Sequence, residues 1–298
     1  MNRRLLCVLR ALLTAAVFVG ANATAIAASA DAPPPAGQRV FVCAHSFMIY
    51  TAKLLPPLAE AAGIAHVNAG QQMIGGSRVI QHWQLPDEKN RAKAVLRAGD
   101  ADVLTLSPNA LMPDEGIDLY TKLGLEKNPA LRVFVQASWA TRDGTSGPFK
   151  NDQRNTATVA SLRSQSDAHR TLWLAKLEAQ VRALNTTVGR TAVYIVPVSD
   201  AVFALREKVA EGRAPGLTKQ TDLFRDDLGH PHPPLAMLVT YCHFAAIYGR
   251  SPVGLPVPAV LKGLPHAAEL NRLLQQIAWD AVTAYPLSGV RTTSTLSR

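Results

Sequence analysis

The chain has 298 residues, 48% hydrophobic and 18% charged, with 19 glycines and 20 prolines. This balance excludes a collagen, a disulfide-dense miniprotein and a mostly disordered chain, and the length suits one large α/β domain. The formal charge of +9 is dispersed, with no basic stripe interleaved with aromatics, so nucleic acid is not an expected partner.

Residues 1–30 read as a secretory signal. Arg3, Arg4 and Arg10 form a basic start without any acid, Ala11–Gly20 is apolar, and Ala28-Ser29-Ala30 is a small-x-small cleavage site. A second acceptable cut follows Ala27. The apolar run is too short for a comfortable membrane span, so the expected location is secreted or periplasmic, with no span left once the signal is removed. Residues 31–38 (DAPPPAGQ) read as a leader and 39–298 as a single domain. Cys7 leaves with the signal. Cys43 and Cys242 sit in apolar patterns and are expected in the core; no CxxC or Cys/His pair has zinc spacing.

Five apolar, β-branched runs follow: Arg39–Ala44, Ala65–Ala69, Asp102–Leu106, Arg132–Ala137 and Ala192–Val196. Their hydrophobicity is continuous rather than alternating, as for strands covered on both faces. Helical patterns occupy Tyr50–Ala62, Glu88–Ala98, Ser166–Leu184, Val202–Glu211, Pro234–Tyr248 and Ala267–Tyr285. Thr141–Arg163 is polar and reads as a long surface loop. Strand–helix alternation predicts a doubly wound, mainly parallel sheet. Ligands of such sheets collect beyond the carboxyl ends of the strands. That rule singles out His45-Ser46, Gly70–Arg78, Ser107-Pro108-Asn109, Ser138-Trp139 and Ser199-Asp200.

Four features carry chemistry, three of them at these positions and one near the C-terminus, and each has a bland reading beside it. Ser46 stands at a strand-to-helix turn, where free N–H groups suit a developing oxyanion, or it caps the helix. Asp227-Leu228-Gly229-His230 places an acid three residues from an imidazole, the arrangement of an oriented base, or it is a solvated loop. Asp226 can take the place of Asp227. Gly75-Gly76-Ser77 lets backbone N–H groups approach a ligand, or it is a flexible turn. Asn109 can donate to a tetrahedral oxyanion, or it is a turn residue beside Pro108. Trp83 stands near the expected mouth, whereas Trp139 and Trp173 read as packing residues. A metal site of His230-Pro231-His232 with Asp227 or His45 is a weaker alternative.

The order nucleophile, glycine, asparagine, Asp-x-x-His along an α/β chain resembles the SGNH (GDSL-like) hydrolase superfamily over about Arg39–Leu255. Gly75-Gly76-Ser77 with His82-Trp83 carries the likeness, as do Asp226–His230 and Ala246–Leu255 (AIYGRSPVGL). The resemblance implies a flavodoxin-like three-layer α/β/α sandwich and hydrolysis of an acyl ester on a carbohydrate or other small molecule. It implies Ser46 as nucleophile, His230 as base and Asp227 as its orienting acid. Ser46, Gly76 and Asn109 would form the oxyanion hole, and no metal or organic cofactor is implied. Three residues, His45, Arg78 and Trp83, are expected as substrate contacts. The chain departs from the family in having Ala44-His45-Ser46 where Gly-Asp-Ser is usual, and a single asparagine in the third block. A module that binds a glycan or a partner protein without catalysis is the alternative.

Overall fold

A computed structural model describes residues 36–290; the expected signal, most of the leader and residues 291–298 lie outside the described residues. Five strands form one parallel sheet: β1 (Arg39–Ala44), β2 (Val67–Met73), β3 (Val103–Leu106), β4 (Arg132–Gln136) and β5 (Val193–Val196). Their order is β2-β1-β3-β4-β5, the flavodoxin-like arrangement expected, and every pairing is parallel.

Side chains alternate across the sheet. Val40, Val42 and Ala44 of β1 join a core under α1 (Thr51–Ala61), α7 (Val198–Ala210), α8 (Pro233–Tyr248) and α9 (Ala267–Ala284). Phe41 and Cys43 point the other way, to α3 (Arg91–Ala98), α4 (Glu115–Lys127) and α6 (Ala175–Val188). Both faces of β1, β3, β4 and β5 are therefore covered, which explains why their sequences read as unbroken apolar runs, whereas the edge strand β2 is largely exposed. Helix α8 is apolar around its whole circumference because it is buried almost throughout. Cys43 and Cys242 lie in separate cores as free thiols, and burial pushes both thiol pKa values up. Among the described residues no helix is long and apolar enough to cross a membrane.

Three expectations need correction. Helix α4 was not expected, because Gly116 and Gly124 weaken its pattern. Both glycines serve close packing: a Cβ at Gly116 would lie 2.4 Å from the backbone of Val79 and Ile80. The segment Thr141–Arg163 is not a plain surface loop. It holds short turns at Thr141–Gly144 and Asn151–Thr156, a fully buried Arg154 side chain, and the start of α5 (Val159–His169). Thr158 caps that helix through its hydroxyl. The helix expected over Ser166–Leu184 is broken by a π-type turn, Arg170–Leu174, which separates α5 from α6.

Strand β1 is the switch point of this topology. The chain passes to β2 on one side and β3 on the other, so loops after β1 and β3 diverge above a crevice. Ser46 follows β1 there, and Ser107-Pro108-Asn109 follows β3.

Candidate active site

Ser46 does not cap α1, which begins only at Thr51 after an intervening turn. Its Oγ instead lies 2.8 Å from His230 Nε2, although 184 residues separate the two. His230 Nδ1 is 2.7 Å from Asp226 Oδ2. A carboxylate only accepts, so Nδ1 carries the proton and Nε2 offers its lone pair to the serine hydroxyl. The edge of the imidazole meets Phe47 at 5.4 Å between ring centres, fixing the plane of the ring.

The orienting acid is thus Asp226, correcting the expectation of Asp227. The Asp226 carboxylate closes its own turn, its Oδ1 accepting from the N–H groups of Gly229 at 3.0 Å and His230 at 3.1 Å. Oδ2 is thereby aimed at the ring, and Gly229 at φ +96 lets the chain reverse tightly. Burial raises the Asp226 pKa, but hydrogen bonds and charge interactions with His230, together with the Gly229 N–H, outweigh it and leave it below the ordinary value. Asp227 points outward, accepting from Asn151 N at 2.9 Å and Lys150 Nζ at 3.3 Å. The spacing Asp-x-x-His selected the wrong member of the pair; an aspartate four residues ahead is the one that can cap the turn.

Beneath this turn lies a residue that sequence reasoning missed. The guanidinium of Arg154, its side chain fully buried, donates to the carbonyls of Asp226 at 3.3 Å and Asp227 at 3.1 Å. Phe149 and Phe224 pack against it at 4.6 and 4.8 Å. Asp143 neutralises it at 3.1 Å, and Trp139 Nε1 donates to the Gly229 carbonyl. The signal available was an aromatic and an arginine inside a polar segment, which composition alone does not separate from solvated residues.

The glycine turn is braced as firmly. Ser77 Oγ donates to the Ile74 carbonyl and lies 2.8 Å from His82 Nε2, whose Nδ1 faces the Gln72 amide. The buried Asp114 carboxylate accepts from the N–H groups of Val79 and Ile80. Gly76 has φ +63, and a Cβ there or at Gly75 would meet nothing within 4 Å, so packing does not demand the glycines. Asn109 donates its amide to the Gly76 carbonyl, bringing these two expected oxyanion donors together. His45 Nε2 faces Ser107 Oγ at 2.8 Å and the Pro108 carbonyl at 3.2 Å, while Nδ1 accepts from Phe47 N. Burial, opposed by the Pro108 bond, brings the His45 pKa down to about 4, so this ring is neutral at pH 7 and is not a base competing with His230.

A cleft of about 390 Å³ has the residues flanking Ser46 in sequence, His45 and Phe47, in its wall, with Asn109, Trp139 and Trp173; Ser46 and His230 themselves do not line it. Of the three expected substrate contacts His45 lines this cleft, and Arg78 and Trp83 do not. Arg78 bonds the Pro113 carbonyl and Glu115. Trp83 packs edge-on against Tyr120 with Lys93 over its ring, in the opposite core. The aromatics that line the cleft are those expected only to pack: Trp139 stacks on Phe47 at 4.6 Å, and Trp173 on His169 at 5.2 Å. As for the metal alternative, no group of three metal-binding side chains forms among the described residues; both ring nitrogens of His230 are engaged as above.

Fold and site together define a parallel α/β protein carrying a hydroxyl–imidazole–carboxylate relay at its switch point. No protein-family model and no curated protein matches the chain. It is similar to the crystal structure of a DUF4886 family protein from Bacteroides uniformis ATCC 8492, with a TM-score of 0.52 and 16% sequence identity over 87% of this chain and 98% of that one. That likeness bears on the fold alone.

Proposed function

We propose that the chain is a serine esterase of the SGNH (GDSL-like) type that acts on an acyl ester of a carbohydrate or other small molecule. The observation that carries this reading is the 2.8 Å contact of Ser46 Oγ with His230 Nε2, backed by Asp226 at 2.7 Å. Ser46 attacks the ester carbonyl as His230 takes its proton, and Asp226 stabilises the imidazolium that forms. The backbone N–H groups of Ser46 and Gly76 and the Asn109 amide receive the oxyanion. His230 then protonates the leaving alcohol, and water attacks the acyl-enzyme in the reverse sequence of proton transfers.

Arg3, Arg4, Arg10 and the apolar run after them support export of this enzyme to the periplasm or the exterior. A second reading, a non-catalytic module that binds a glycan or a partner protein, draws on one feature: one of the two Asn109 amide hydrogens is engaged by the Gly76 carbonyl. A panel of short-chain aryl esters and acetylated sugars decides between them. Hydrolysis by the wild type that Ser46→Ala abolishes supports the esterase; equal rates in the two overturn it.

A further inference from the structure

The cleft beside Ser46 has a polar end that ester hydrolysis does not use. Arg206, on α7, is only 3% exposed yet forms part of the cleft wall. Its Nε donates to Gln220 Oε1 at 3.1 Å and its Nη2 to Asp143 Oδ2 at 2.7 Å. Among the described residues its Nη1 makes no hydrogen bond.

The charge around this guanidinium is unbalanced. The single carboxylate of Asp143 is shared by Arg206 and Arg154. Neighbouring acids are engaged elsewhere: Asp226 with His230, Asp200 with Arg170, and Glu207 with Arg163. A shielded guanidinium with free N–H donors and half a counter-ion attracts an oxyanion more strongly than any surface arginine does.

An independent observation shows that the same cleft is laid out for a polar group. Gln165 Oε1 and His169 Nε2, one turn apart on α5, are buried without a partner, and both residues line the cleft. Buried polar atoms are ordinarily paired, and the Gln165 amide can present either end to a ligand. The rest of the wall sets the aromatic rings of Phe47, Trp139, Trp173 and Phe203 beside polar groups, among them His45, Asn109, Thr141 and the Asp143 carboxylate. A volume near 390 Å³ accommodates one flat ring with a substituent.

We infer that this cleft is a specificity subsite for a substrate bearing a carboxylate on a flat apolar arm, with Arg206 pairing the carboxylate. The inference names the substrate class of the proposed esterase site and rests on that reading only for the ester end of the molecule. Its binding half stands on the cleft alone.

The test uses the full chain with 4-hydroxybenzoate and its neutral counterpart 4-hydroxybenzamide, titrated calorimetrically into wild type, Ser46→Ala and Arg206→Gln. Wild type and Ser46→Ala are expected to bind the carboxylate at least about tenfold more tightly than the amide, a preference lost in Arg206→Gln. In parallel, 4-acetoxybenzoate should show a lower KM than methyl 4-acetoxybenzoate. Equal binding of acid and amide by the wild type overturns the inference, whether or not the Arg206 variant folds. A carboxylate preference without any ester turnover removes the esterase reading and keeps the subsite; Ser46-dependent turnover without the preference does the reverse.

Discussion

Asp226 and Asp227 are chemically identical neighbours, yet only one of them reaches the imidazole. Asp226→Asn is expected to reduce ester turnover by about 100-fold or more, because an amide no longer holds the Nδ1–H tautomer as a carboxylate does. Asp227→Asn, which keeps an oxygen for the Asn151 N–H and loses the exposed Lys150 pairing, should change turnover by less than about threefold. Parallel kcat/KM measurements on the two variants check this, and a larger loss at Asp227 would contradict the assignment. The meeting of Ser46 with His230 and of Gly76 with Asn109 was legible in the sequence because each residue stands beside a glycine, a proline or the end of an apolar strand. Asp226 was only an alternative, since the choice depends on which carboxylate caps the turn, and a spacing rule does not describe that. Arg78 and Trp83 were misplaced for a related reason: a position after a strand end does not say which side of the helix a residue faces.

At the scale of elements, the segment from Trp139 to Thr156 acts as a cradle for the Asp226–His230 turn. Arg154, Trp139, Asn151 and Arg142 all bond that turn or its flanks. Replacing Arg154 with Met removes one of the two guanidiniums paired with Asp143 and leaves the part-buried Asp227 carbonyl without its donor. The expected cost is about 3 kcal/mol in urea unfolding, together with slower turnover from a loosened His230. An unchanged midpoint would show that the cradle carries no load. Polarity hid this segment, because a buried arginine stacked between aromatics has the same composition as a solvated one. Glycine hid α4 in a similar way: Gly116 lowers helix propensity where α4 must approach α2 (Val79–Trp83) closely. The four strands buried on both faces were far easier to read, β1 to its last residue, because they leave an uninterrupted apolar signature. The largely exposed edge strand β2 runs Val67–Met73 rather than the expected Ala65–Ala69.

For the whole molecule, pH is the most accessible probe of the fold. Burial lowers His45 and His82 to about 4 and His243 to about 3. The unfolded chain takes up these protons near pH 6.5, whereas the folded chain resists until about pH 4, so unfolding binds protons across that window. Stability should therefore fall as pH drops from about 6.5 to 4, by on the order of 2–3 kcal/mol for each ring. Urea midpoints at pH 7.5 and 5 check this, and equal midpoints would contradict it. Only the folded molecule brings Ser46 and His230 together, and everything proposed for the site depends on that meeting. The most direct measurement treats the intact protein with a fluorophosphonate and locates the adduct by peptide mass spectrometry. The account predicts one modified residue, Ser46, with labelling lost in His230→Ala. An unlabelled wild type, or an adduct that persists in Ser46→Ala, would contradict it.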